Sequence, residues 1–117
     1  LGIDIVTGES HEKVLEKIKS SYAIASLAFT DICPNFILEG ISFNKPFVMT
    51  KHTGLSELAT TGGIYVDPMN ESEIREALEV LRDENTYNKH VEELKNLSLS
   101  HPWGEMAGEL INIWKNL

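Results

Sequence analysis

Two carboxylates eight positions apart, Asp31 and Glu39, bracket the stretch Thr-Asp-Ile-Cys-Pro-Asn-Phe-Ile-Leu-Glu-Gly that runs from Thr30 to Gly40. Between them Pro34 and Asn35 predict a helix start, because the N–H that proline lacks has no intrahelical partner in a first turn. Free amides and the helix dipole make such a turn an anion site. Carboxylates on both sides would repel a bare anion, so the combination suits a ligand whose hydroxyls flank a phosphate.

Each of these residues also has a plainer reading. Asp31 is equally a helix cap, and Glu39 judged by periodicity alone is a solvated helix glutamate. Cys33 at a helix start would have a lowered thiol pKa, yet no histidine stands near it in sequence, and a small buried or capping side chain is the simpler account. Gly54 is a turn glycine or one that admits a phosphate or sugar closely. Lys51 is a loop cation beside a diphosphate or a solvated side chain. His11, His52, His90 and His101 lack metal-ligand spacing, so neither a metal nor another cofactor is expected. A hydrolase built on Asp31 and Glu39 would need both carboxyls to face one bond, about 5 to 10 Å apart, with one pKa raised. Nothing in the pattern isolates either group from water.

The elements that must position these residues follow from periodicity. Ile3-Asp-Ile-Val6 predicts a short strand, and Val14, Leu15, Ile18 and Tyr22 predict the apolar face of a helix beginning near Ser10. Ala25 to Phe29 is almost wholly apolar, as in a strand buried on both faces, and should end at Thr30 and Asp31. The next helix carries Phe36, Ile37, Leu38, Ile41 and Phe43, with Asn44 as its stop. Pro46 to Thr50 predicts another strand, then a glycine loop and short helix over Lys51 to Ala59, a brief strand at Ile64 to Val66, and a turn at Asp67-Pro68. Asn70 with Glu73 has capping-box spacing before a helix whose face is Ile74, Ala77, Leu78 and Leu81. Thr86 to Asn96 predicts a further helix with Tyr87, Val91 and Leu94 inward. Pro102 opens the last, whose apolar residues Trp103, Met106, Leu110, Ile113, Trp114 and Leu117 are too many for a solvated tail.

Strand and helix in alternation predict an α/β fold, a Rossmann-like parallel sheet of about four strands flanked by helices. Ligand sites in such sheets lie off the carboxyl ends of the strands. Three loops belong there: Thr7-Gly8, Asp31 to Asn35, and Lys51 to Ser56. At 117 residues with 42% apolar side chains there is one domain with a core of its own and no internal boundary. The net charge of −8 argues against a nucleic-acid partner. One cysteine, no apolar run of membrane length and no signal peptide point to a reducing, cytoplasmic setting. The first residue is not Met, which fits a piece of something longer.

The order of motifs is similar to that of the GT-B fold retaining glycosyltransferases of the family 4 type. Glu39-Gly-Ile-Ser-Phe-Asn-Lys-Pro-Phe-Val-Met-Thr50 resembles the family's Glu-Ala-Met-Ala-x-Gly-x-Pro-Val-Val-Ala-Thr run, and Gly54-Leu-Ser-Glu57 its Gly-x-x-Glu. Gly63-Ile-Tyr-Val-Asp-Pro68 resembles Gly-x-Leu-Val-Asp-Pro, and Ser100-His-Pro-Trp103 the closing Phe-Ser-Trp region. The resemblance implies that residues 1–117 are the nucleotide-sugar-binding C-terminal part of such an enzyme, without its N-terminal acceptor domain and without the first strands of this domain. It implies that Glu39 grips the ribose hydroxyls, that Asp31, Ile32 and Cys33 face the donor sugar, and that backbone amides at Asn35 and Phe36 meet the diphosphate. Gly8, Lys51 and Gly54 are expected as further loop contacts. Five residues of helix from Pro34 to Glu39 rise about 7.5 Å, enough to separate ribose from hexose with phosphates between.

The chain departs from the family where Asp31 replaces a Glu one methylene longer and where Pro34 offers no amide. The family's Arg and Lys that neutralise the leaving diphosphate precede this sequence, so the chain alone is predicted to be catalytically inactive. Expected partners are the donor, the absent N-terminal domain, which would also bring the inner membrane surface within reach, and a second copy of the chain through exposed apolar surface. The competing reading is a non-catalytic α/β module that associates through its sheet edge or its last helix.

Overall fold

Phe47–Thr50 is buried at every position and forms the centre of a parallel sheet, which dictates where everything else packs. The computed structural model describes residues 2–117. In chain order the elements are α1 (His11–Ser20), β1 (Ile24–Ser26), α2 (Asn35–Ser42), β2 (Phe47–Thr50), a 3₁₀ turn (Gly54–Glu57), β3 (Gly63–Val66), α3 (Glu71–Arg82), α4 (Glu84–Asn96) and α5 (Trp103–Lys115). The sheet has three strands in the order β1-β2-β3, all parallel, with Ile24 opposite Phe47 and Phe47 opposite Gly63. This is a small α/β domain of Rossmann-like architecture.

Alternation along β2 sends its side chains to two separate cores. Phe47 and Met49 meet Ile18 of α1, Ile37 and Ile41 of α2, Leu55, Ala59 and Leu94 of α4. Val48 packs on the other face with Val66 and with Ala77 and Leu81 of α3. A strand clothed on both faces needs no polar alternation, which is why the run is apolar apart from Thr50.

Helix boundaries follow local chemistry. Ser10 caps α1, Asn70 accepts from the Glu73 amide to cap α3, and Asp83 both ends α3 and caps α4 by accepting from the amide and hydroxyl of Thr86. That last cap starts α4 two residues before the predicted Thr86. Asn44 ends α2 at φ +55°, the left-handed conformation that asparagine tolerates. Tyr65, paired with Met49 in the sheet and edge-on to the Phe47 ring, donates to the carbonyl of buried Ala59 at 2.6 Å, and burial pushes its pKa up to about 12, so the donor persists throughout the neutral range.

Four expectations are corrected. Residues 3–6 form no strand; Ile3 and Ile5 are exposed, and the sheet therefore has three strands among the described residues rather than four. Strand β1 is short and lies at the sheet edge with Ala25 exposed, because α3 covers β2 and β3 but not β1. Tyr22 lies beyond the end of α1, where its ring stacks on Tyr87 at 4.0 Å and each hydroxyl donates to a backbone carbonyl, Leu81 and Tyr22 respectively. Leu78 is half exposed, leaving Ile74, Ala77 and Leu81 as the inner face of α3.

Gly63 sits directly beneath the Phe47 ring, and a Cβ there would run into the ring edge. Phe47 is itself fully buried and has nowhere to retreat. Gly63→Ala should therefore destabilise the fold by about 1 to 3 kcal/mol. Urea unfolding would show this as a lowered midpoint at unchanged slope.

Candidate functional site

The carboxyl ends of β1 and β2 open into two loops that are sewn together by backbone. The Asp31 amide and the Thr30 hydroxyl both donate to the His52 carbonyl, at 3.2 and 3.1 Å, and the Gly54 amide donates to the Ile32 carbonyl at 3.1 Å. Buried Thr50 anchors the seam from below: its hydroxyl donates to the Phe29 carbonyl at 3.4 Å and accepts from the His52 amide at 3.2 Å. The Phe29 ring stacks over the His52 imidazole at 5.9 Å. A Cβ at Gly54 would lie 3.0 Å from the Ile32 carbonyl oxygen, so the glycine is explained by the approach of the two loops.

The joined loops feed directly into α2. Pro34 is its N-cap and no side chain caps the helix, which leaves the amides of Asn35 and Phe36 to solvent or a ligand. This settles one alternative: Asp31 is not the cap. Its amide is tied to the second loop while its side chain stays partly exposed. Ile32 and Cys33 are exposed beside it, as is Asn35, and Phe36 is more than a third exposed.

Lys51 extends β2 by donating its amide to Val66, and its ammonium stands 3.0 Å from Asp67 at the end of β3. The other oxygen of Asp67 accepts the Met69 amide at 2.9 Å. The Met69 amide, followed by the Lys51 ammonium, holds the Asp67 carboxyl below its ordinary range, and Asp67 in turn raises the Lys51 pKa. The cation nearest the site is thus already balanced by a carboxylate. Any phosphate would have to share it.

Glu39 lies one turn and more along α2, a quarter exposed, with its carboxylate 3.4 Å from the His11 imidazole at the start of α1. Gly8 stands just upstream of that helix at φ +70°, a left-handed turn, and follows no strand. The structure therefore gathers Asp31 to Phe36 with Lys51 and Gly54 at two strand ends, and places Glu39 with the start of α1 farther along α2. Of the three loops expected at strand ends, Thr7-Gly8 is not one. Sequence reasoning missed His52, Thr50, Asp67 and His11 as organisers. Asp67 lies within Gly63-Ile-Tyr-Val-Asp-Pro68, but its link to Lys51 joins two strands and leaves no local pattern.

Among the described residues no group of three or more His, Cys, Asp or Glu side chains could hold a metal ion, and no helix is long and apolar enough to cross a membrane. Comparison of the chain with protein-family models, with curated proteins and with solved structures finds no match.

The Asp67 carboxyl is lowered chiefly by an amide that stays in place when Lys51 is removed. In Lys51→Ala, NMR titration of Asp67 should give a pKa higher than in the parent chain but still below the ordinary 3.8. The sign for stability follows: a carboxyl lowered by folding stabilises above its unfolded pKa, and that contribution is lost as pH falls through the folded value. Asp67→Asn should flatten that acid limb of the stability curve.

Proposed function

We propose that this chain is the donor-binding part of a retaining, metal-independent glycosyltransferase of GT-B fold and family 4 type. Such an enzyme transfers a sugar from a nucleoside-diphosphate sugar to a glycan, lipid or other acceptor. The observation that carries this reading is the uncapped first turn of α2 at the carboxyl end of β1, with Glu39 farther along the same helix. In this reading the amides of Asn35 and Phe36 take the diphosphate, Glu39 takes the ribose hydroxyls in place of His11, and Asp31, Ile32 and Cys33 face the sugar.

Departure of a nucleoside diphosphate needs charge neutralisation. Lys51 is committed to Asp67, so this part of the enzyme binds the donor, and the cations that assist its departure come from elsewhere in the full protein. The chain on its own should bind without turning over. A second reading, a non-catalytic module that works by association, is favoured by one observation only: α5 buries no residue.

Calorimetry with UDP, GDP and their sugars tests the first reading. Loss of a hydrogen-bonded carboxylate is worth about 1.5 to 3 kcal/mol. Glu39→Ala should accordingly weaken nucleotide binding by roughly ten- to 150-fold. Equal affinity in both proteins would remove Glu39 from the site, and no binding by either would remove the donor reading.

A further inference from the structure

An ion pair, Lys51 with Asp67, stands at the carboxyl ends of β2 and β3. Each residue lies one position beyond a register partner, Thr50 in β2 and Val66 in β3. The Lys51 amide donates to the Val66 carbonyl at 2.9 Å, so the two backbones are tied where the side chains meet. The ammonium and Asp67 Oδ2 are 3.0 Å apart, with the side chains 48% and 33% exposed. Asp67 Oδ1 accepts the Met69 amide at 2.9 Å, which fixes the carboxylate from its other side.

A pair held in this way keeps bonding capacity toward solvent. An ammonium has three N–H donors, of which Asp67 takes one. A carboxylate has about four acceptor positions, and the ammonium and the Met69 amide occupy two of them. Donors and acceptors therefore stand side by side with their formal charges balanced. A lysine alone at a strand end attracts phosphate as a point charge. Beside a carboxylate that attraction is largely cancelled, because the carboxylate repels the same anion. The group that fits is neutral and both donates and accepts at adjacent atoms. Two neighbouring hydroxyls of a sugar ring do this, one oxygen accepting from Lys51 and the other hydroxyl donating to Asp67.

We infer that Lys51 and Asp67 together read hydroxyls of the donor's sugar, and that Asp67 is the specificity residue that turns a phosphate-seeking lysine into a sugar-reading one. This rests on the donor-site reading and adds to it the group that each end of the ligand meets. Helix α2 crosses from β1 to its parallel neighbour β2, so it runs from the carboxyl end of the sheet back toward the amino end. With the diphosphate on the first turn and the nucleoside drawn along the helix to Glu39, the sugar is left over the carboxyl ends of the strands. Along that edge the Asp31 amide binds the His52 carbonyl, and His52 adjoins Lys51 in the chain. The sugar then lies between Asp31 on the β1 side and the Lys51–Asp67 pair on the β3 side.

Calorimetry with matched probes tests this: UDP beside UDP-glucose, UDP-galactose and UDP-N-acetylglucosamine, and GDP beside GDP-mannose. In Asp67→Asn, the sugar nucleotide that the parent chain binds best should bind about tenfold or more weakly. The matching nucleoside diphosphate should bind as tightly as before or more tightly, because the Lys51 charge is no longer balanced. Lys51→Gln should show the same loss for the sugar nucleotide without the gain for the diphosphate. A folding defect would weaken both ligands together, so the divergence between them is the signature of the pair. A second readout needs no substitution: the carbon-13 carboxyl signal of Asp67 in the parent chain should move when the sugar nucleotide is added and stay when the nucleoside diphosphate is added. A signal that moves equally with both ligands, or with neither, overturns the inference and leaves the nucleotide contacts standing. Absence of nucleotide binding by the parent chain removes the donor reading and this inference with it.

Discussion

Everything in this domain depends on β2 being covered on both faces and paired on both edges. A strand with Phe47 and Met49 on one side and Val48 on the other cannot fold against a single layer, so helices must lie above and below it. Parallel pairing with β1 and β3 then sends both following loops out at the same end of the sheet. Thr50 marks the place where the apolar interior gives way to the loops. It is fully buried, and its hydroxyl is satisfied by one partner from each loop, Phe29 and His52. A buried hydroxyl without partners would be costly, so the end of β2 and the geometry of both loops are fixed together.

What the sequence revealed is what local chemistry controls. The start of α1 near Ser10, the cap at Asn70, the stop at Asn44, the start of α2 after Pro34 and the apolar run of β2 are each set within a few residues, and each was readable. Residues 3–6 and β1 were misjudged for a common reason. A β-pattern states only that a segment fits a half-buried pleated surface, and whether such a surface exists depends on neighbours remote in sequence. Ile3-Asp-Ile-Val6 has the pattern and no sheet beside it, while Ala25 sits in a genuine strand whose outer face no helix reaches.

The candidate site divides along the same line. Its first turn of α2 and the position of Glu39 on that helix followed from spacing. The contacts that shape it did not: the loop seam, the Lys51–Asp67 pair and the approach of His11 to Glu39 all join segments distant in the chain. Gly54 illustrates the difference. As a letter it was compatible with ligand approach or with a turn, and the structure supplies a third cause, the carbonyl of Ile32 pressed against it.

These long-range contacts also bear on how the site would respond to a ligand. The seam consists of a few hydrogen bonds among exposed or half-exposed residues, whereas the sheet beneath it is held by two apolar cores. Segments held in that way open at lower free energy than the core they rest on. An anion at the first turn of α2 that bound only the joined state would stabilise it by an amount that grows with the logarithm of its concentration over its Kd. Rigidity at the base of β2 and looseness at its mouth are thus two consequences of one arrangement: the strand is locked by packing, while the loops at its end are locked only to each other.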